Sequence, residues 1–500
     1  MLVVRLAERI GRPAVLAVPV RTVEGESEPA SDEVTPGVVA VGPGALPAAV
    51  AQVAEAFLAE AEHTGGAGSV QQLALPLEKI GRVLFTGVGD GSEIDWRKAG
   101  AAIARAAAGK TSAAVLTPTG LAPEAVAGLT EGLMLASYRY RLANKPDDSR
   151  KLRTVTVVVD DADAYAEAHE SATVVAESIC LARDLTNQPS ADKSPAKLAA
   201  GLTRTAGKYG VTATVREPEQ LAKEGFGGIL AVGGGSSRGP RLLELRWAPR
   251  GAKRHIVLVG KGITFDTGGV SIKPLENMLL MRKDMGGVGT VAAAVIGAAR
   301  LKLPVKITVL APLAENMVGG DSYRPGDVVR HYGGLTSEVL NTDAEGRMVL
   351  ADALAYAARR LKPDVLLDFA TLTGAAKAAL GKRTAAVLGD NDALVKELVA
   401  AGEAVGERMW RLPLHGDYAE LIRSDVADMT NVNQGMSGAG GAITAGLFLR
   451  EFAGEYADRW AHVDMSATSW IEKDDGELAK YATGWGVRTL LSWLGAPGAQ

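Results

Sequence analysis

A chain of 500 residues is too long for one ordinary domain and can bury a large core, so two or three domains are expected. With 47% hydrophobic and 22% charged residues it has the composition of a globular protein, and a net charge of -4 argues against a general nucleic-acid or membrane-surface binder. The single cysteine, Cys180, excludes an intrachain disulfide framework and a cysteine metal cage, and reads as a small buried apolar residue.

From the N-terminus, MLVVRLAERIGRPAVLAVPV lacks a basic segment followed by a long apolar one, so no secretory signal is expected. No run approaches the roughly 18 apolar residues that span a bilayer, and a cytoplasmic location without membrane contact is the default. The acidic, polar stretch 23–33 reads as an exposed loop. Ala-rich amphipathic stretches near 47–62 and 97–109 alternate with β-branched runs, RVLFTGVG, SAAVLTP and TVTVVVDDAD, which predicts a smaller α/β domain over 1–165. A long helical pattern near 163–185 ends at the turn formers TNQPSADKSP, so 166–188 is expected to connect to a larger domain over 189–500.

In that second part HIVLVG, KITVLAP and DVLLDFATLTG are short, nearly continuous apolar runs, as in parallel strands buried on both faces. Ala-rich helical stretches lie between them, giving an α/β fold with a mainly parallel central sheet flanked by helices. Ligand sites of such sheets form at the carboxyl ends of strands. Charge and glycine concentrate there in three segments: VGKGITFDTGGVSIKP at 259–274, MRKDMGGVGT at 281–290 and NTDAEGRM at 341–348.

These segments hold Lys261, Asp266, Lys273, Asp284, Asp343, Glu345 and Arg347 among small residues. Burying so many charges is costly unless they pair or bind an ion. The four carboxylates would be balanced by two divalent cations, of the kind carboxylates bridge in aminopeptidases and phosphatases. Taken singly, each residue has a blander reading. Asp284 and Asp343 precede helices, where aspartate is a good N-cap. Lys261 alone would be a solvated lysine, and Arg347 a salt-bridging helix residue. Three such segments at successive strand–helix junctions are not explained by independent caps. The six histidines are scattered without metal-ligand spacing or an H-E-x-x-H motif, and His462, beside Asp464, reads as a packed structural residue. VGGGSSRG at 232–239 matches no phosphate-loop pattern and reads as a turn.

Together VGKGITFDTGGVSIKP, MRKDMGG, ENMVGGDSYRPGDV and NTDAEGRMVLADAL resemble the signature segments of the leucyl aminopeptidase (cytosol aminopeptidase, M17 peptidase) family, NTDAEGR being its defining heptapeptide. The resemblance runs from about 180 to 490; the first 165 residues match only in length and α/β character. One departure, GVGT after DMG where the family usually has Ala, touches helix packing rather than ligands.

The resemblance implies an exopeptidase that releases Leu-like N-terminal residues from short peptides with two divalent ions, Zn or Mn. Asp266 and Glu345 would bridge the ions. Lys261, as a neutral amine, and Asp284 would complete the tighter site, and Asp343 the more exchangeable one. Lys273 and Arg347 would be catalytic, Arg347 holding a bicarbonate with help from the backbone around Leu372. Met281, Thr371 and Gly374 would line the pocket for the first side chain. A homohexamer is implied as well. A two-metal phosphatase or nuclease fits the carboxylates but not Lys261 or NTDAEGR. A DNA-binding regulatory protein of the same family, with or without peptidase activity, is the alternative; the acidic balance disfavours nucleic acid.

Overall fold

The computed structural model describes residues 1–23, 35–41, 45–75, 80–144, 152–433 and 440–496. The expected loop over 23–33 therefore lies, except for Val23, outside the described residues. The chain forms two compact units, Met1–Glu177 with Glu472–Lys480, and Ser178–Ile471 with Tyr481–Gln500. The long helical pattern becomes the helix Ala166–Asn187, which runs from the first unit into the second.

The first unit is built on a sheet of seven strands. Val3–Ala7, Thr154–Val158, Ser112–Leu116, Val15–Arg21 and Arg82–Gly87 lie side by side in parallel, and Val70–Ala74 closes one edge antiparallel. The helices Glu93–Ala106 and Pro123–Ala136 bury Trp96, Ile103, Leu129 and Leu133 beneath it.

The second unit carries a nine-stranded sheet. Its strands are β1 (Thr212–Arg216), β2 (Arg241–Trp247), β3 (His255–Gly260), β4 (Gly262–Asp266), β5 (Lys306–Asn316), β6 (Val365–Ala370), β7 (Ala385–Leu388), β8 (Met409–Arg411) and β9 (Trp460–Asp464). They are ordered β8-β7-β9-β6-β3-β5-β2-β1, with β4 beside β5. The centre, β9-β6-β3-β5, is parallel; β2 joins β5, and β7 joins β9, antiparallel. Every residue of β3 and β6 is buried, which is why these runs are apolar without alternation. Each buried Val, Leu or Ile contributes about 1.5–3 kcal/mol.

Helix α1 (Gly286–Arg300) is buried along all but its last residue, and its sequence is accordingly small and apolar all round. Gly287 permits the approach: a Cβ there would fall 2.1 Å from the Phe369 carbonyl. Helix α2 (Glu345–Tyr356) is buried throughout, and α3 (Gly374–Leu380) follows β6. Of the stretch 232–239, expected as a turn, Val232 and Gly233 instead end a short helix, Gly227–Gly233, and the turn follows from 234. Among the described residues no helix is long and apolar enough to cross a membrane.

Candidate metal centre

Strands β3 and β4 are one line of chain interrupted at Lys261, both running along β5. The break is held on two sides: the Lys261 N–H donates to the Phe369 carbonyl (2.9 Å), and its carbonyl accepts from Val288 in the first turn of α1 (3.0 Å). The strand ends therefore deliver Lys261 after β3, Asp266 at the end of β4, Asn316 at the end of β5, Thr371 after β6 and Asp464 at the end of β9. The starts of α1 and α2 bring Asp284, Asp343 and Glu345 to the same place.

Lys261 Nζ lies 2.8 Å from Asp284 Oδ2 and 2.8 Å from Glu345 Oε1. Lys273 Nζ lies 2.8 Å from Asp266 Oδ2 and also contacts Asp343 Oδ1. One carboxylate oxygen each from Asp266, Asp343 and Glu345 fall within 4.8 Å of one another. Lys261, Asp266, Asp284 and Glu345 are at most 4% exposed, so the solvated-lysine reading of Lys261 does not hold. Neither do the capping readings: the N-cap positions of α1 and α2 are Met285 and Ala344, without side-chain caps. Gly346 makes room for Lys261, since a Cβ there would sit 2.7 Å from its Nζ.

Four carboxylates against two ammonium groups leave the cluster two negative charges in excess. Burial, then Glu345 and Asp284, push the Asp266 carboxyl well above the carboxylate range, against Lys273 and Lys261. Burial opposes a charged Lys261, but Asp284, Glu345 and Asp266 outweigh it and hold the ammonium above an ordinary lysine. Lys273 is likewise raised against its burial, by Asp266, Glu345 and Asp343. Asp284 Oδ2, Asp343 Oδ1 and Glu345 Oε1 are buried and lack a well-directed hydrogen-bond donor; they meet only ammonium nitrogens at ion-pair range. Buried oxygens of this kind, close together and under-neutralised, form a donor set that suits divalent cations. The residues present therefore fit a metal centre, and the lysine ammonium groups are the counter-charges of the metal-free protein.

Several groups that the motifs did not single out hold this cluster. Asn316 donates Nδ2 to Asp266 Oδ1 (2.8 Å) and to the Thr342 carbonyl (3.1 Å). Tyr323 OH donates to that carbonyl as well (2.7 Å), and Thr342 Oγ1 to the Gly268 carbonyl (2.6 Å). Lys193, wholly buried, donates to the carbonyls of Leu185, Thr186 and Arg282 (3.1, 2.8 and 2.6 Å), pinning the turn Met281–Lys283. Asn316 and Tyr323 lie inside the segment ENMVGGDSYRPGDV; Lys193 carries no sequence signal beyond a lysine in a turn.

The predicted pocket and catalytic residues border the cluster. Thr371 Oγ1 donates to Asp284 Oδ1 (2.7 Å), and its carbonyl accepts from Lys261 (3.0 Å). Asp464 organises the loop after β6: it accepts from the N–H groups of Leu372 (3.2 Å) and Thr373 (3.0 Å), and from Thr373 Oγ1 (2.6 Å). The Leu372 N–H is thus already engaged. Gly374 faces open space, with nothing within 4 Å of a Cβ built there, and Met281 is half-buried three residues before Asp284. Arg347 is buried, and among the described residues no carboxylate pairs with it; Nη1 donates to the Asn431 carbonyl (2.7 Å), while Nε has no acceptor. Burial lowers it to about 10, against Glu345 and Asp464. His462 is a packed residue, its Nδ1 2.6 Å from Asp368.

Comparisons with known proteins place the chain among related proteins along most of its length. The cytosol aminopeptidase family model for the catalytic domain matches residues 180–491, and that for the N-terminal domain matches 26–145, where the motifs gave no likeness. A probable cytosol aminopeptidase of Corynebacterium glutamicum is 42% identical over 448 residues, 88% of this chain and 87% of that protein. One from Micrococcus luteus is 41% identical over 491 residues, 91% and 95% of the two chains. Among solved structures, the bottromycin maturation enzyme BotP in complex with Mn is 33% identical with a TM-score of 0.82, covering 97% of this chain and 99% of that one. A mutant of tomato leucine aminopeptidase is 29% identical with a TM-score of 0.85, covering 99% and 96%.

Proposed function

The chain belongs to the cytosol aminopeptidase family of metal-dependent aminopeptidases, and from that premise we propose that it releases Leu-like residues from the N-termini of short peptides at a centre of two divalent ions. The observation that carries this reading is the buried, under-neutralised set of Asp266, Asp343 and Glu345 oxygens beside Asp284 and Lys261.

Asp266 and Glu345 would hold both ions, with Lys261 and Asp284 completing one site and Asp343 the other. When bound, the ions supply Lewis acidity to the scissile carbonyl and a lowered pKa to the attacking water. Zn or Mn suits the donors, and the Mn complex of the related BotP favours the latter. Lys261 must give up its proton to ligate, which the charge of the ions permits. Lys273 keeps its proton and offers a donor for the negative charge that builds on the carbonyl oxygen. Arg347 holds a bicarbonate as general base: its guanidinium is buried and has an unspent Nε donor. The backbone around Leu372 borders that position, and Met281, Thr371 and Gly374 line the pocket for the first side chain. A cytoplasmic homohexamer comes with the family resemblance, and native mass tests the assembly.

Dialysis against a chelator, followed by added Mn or Zn, tests the reading on Leu-p-nitroanilide. Hydrolysis should vanish and return with the ion; activity that survives complete metal removal would sink the proposal.

A further inference from the structure

The turn Met281–Lys283 places three consecutive side chains beside the cluster. The Arg282 guanidinium is lodged over the rings of Trp470 (5.1 Å) and Tyr481 (5.2 Å), away from the strand ends. The half-buried Lys283 ammonium turns the other way and donates to the Ser466 carbonyl at 3.0 Å. Ser466 belongs to the loop after β9 and is tied to the one after β6, its Oγ donating to the Thr373 carbonyl (2.7 Å). Through Ser466, Lys283 is thus linked to the loop after β6 that carries Thr371, Thr373 and Gly374, where Thr371 holds Asp284 and Gly374 faces open space.

Lys283 has no carboxylate partner of its own among the described residues. Its polar partner there is the Ser466 carbonyl. The two acids nearest in field are committed elsewhere: Asp284 to Lys261 and Thr371, and Asp464 to Leu372, Thr373 and the Ser466 N–H. A second cation, Lys377, stands exposed on α3 within electrostatic range. An ammonium has three donors, and the Ser466 carbonyl takes one. Beside the loop after β6, Lys283 thus keeps unspent donors and no carboxylate partner of its own.

We propose that Lys283, assisted by Lys377, makes this aminopeptidase accept a carboxylate-bearing first side chain, glutamate above aspartate by its reach, alongside Leu-like ones. The inference rests on the aminopeptidase reading above and names a substrate class for its pocket. The Leu-like chain uses Met281 and the methyl of Thr371; the glutamate carboxylate uses the free donors of Lys283.

The test compares kcat/KM for Glu- and Leu-p-nitroanilide on the full-length, Mn-loaded enzyme, since a ratio within one preparation cancels the fraction of folded protein. The wild type should cleave both, with KM for the Glu substrate alone rising with added NaCl. Lys283→Met should lower the Glu/Leu ratio by about tenfold or more, the size of one lost hydrogen bond to a charged group. Lys283→Arg should restore most of it, and Lys377→Met should lower it less. A ratio unmoved in Lys283→Met, or no Glu cleavage by an enzyme that cleaves Leu, overturns the inference alone. If Lys283→Met does not fold, a salt-independent KM for the Glu substrate in the wild type overturns it equally. Failure of the wild type to cleave Leu-p-nitroanilide would instead remove the aminopeptidase reading.

Discussion

The two units use the same construction, a largely parallel sheet under helices, and differ in what stands at the strand ends. In the first unit the polar groups there satisfy one another: Thr117 Oγ1 donates to the Val158 carbonyl (2.8 Å), and Asp160, in solvent, accepts from the Gly120 N–H (2.8 Å). Its buried cation, Arg97, lies among Glu93, Glu131 and Glu477, but Glu93 and Glu477 keep 28% and 20% of their side chains in solvent, which screens the excess charge. In the second unit Asp266, Asp284 and Glu345 are at most 4% exposed, and together with the part-exposed Asp343 they exceed Lys261 and Lys273 by two charges. The architecture supplies strand ends; a carboxylate cluster largely out of reach of water is what sets apart the end proposed as the metal centre.

If that contrast is right, substitutions behind the cluster should cost function, and comparable ones elsewhere only stability. Asn316→Ala removes the amide that orients Asp266 and should cost about 10–100-fold in metal affinity or activity, read by metal titration and kcat/KM. An unchanged affinity would mean that Asp266 needs no orientation.

A smaller effect is expected with pH, at the opposite end of the same sheet. Burial, with Lys306 and Arg246, lowers His255 from 6.5 to about 4. The unfolded chain then binds the extra proton between those values, so stability rises with pH across that window and is lost on acidification from 6.5 towards 4. His255→Gln, keeping a partner for Thr308 Oγ1, should flatten that part of the difference in unfolding free energy, measured by denaturant titration at several pH values. The smallest effect belongs to the first unit. Ser92 caps Glu93–Ala106 by accepting from the Asp95 N–H, and Ser92→Ala should cost about 1 kcal/mol while leaving kcat/KM unchanged. A matching loss of activity would contradict the separation of roles.

The sheet is readable from sequence because HIVLVG and DVLLDFA are apolar without alternation, which only burial on both faces explains. The cluster is readable because glycine and charge crowd three strand–helix junctions. The groups that stay hidden are those whose partners are distant in sequence. Asn316 meets Asp266 across 50 residues, and Asp464 meets Leu372 and Thr373 across more than 90. In the sequence Asp464 stands out only as a neighbour of His462, which itself turns to Asp368. Lys283 is one more charge in MRKDMGG until the fold shows Arg282 stacked on Trp470 while Lys283 donates to the Ser466 carbonyl.

The two-metal centre is tested most directly by metal content per chain, measured by elemental analysis of the Mn-reconstituted enzyme beside Asp266→Ala and Glu345→Ala. Two ions per wild-type chain, and a loss from each variant together with peptidase activity, is the predicted result. Two ions retained by Glu345→Ala, or a fully active wild type with none, would contradict it.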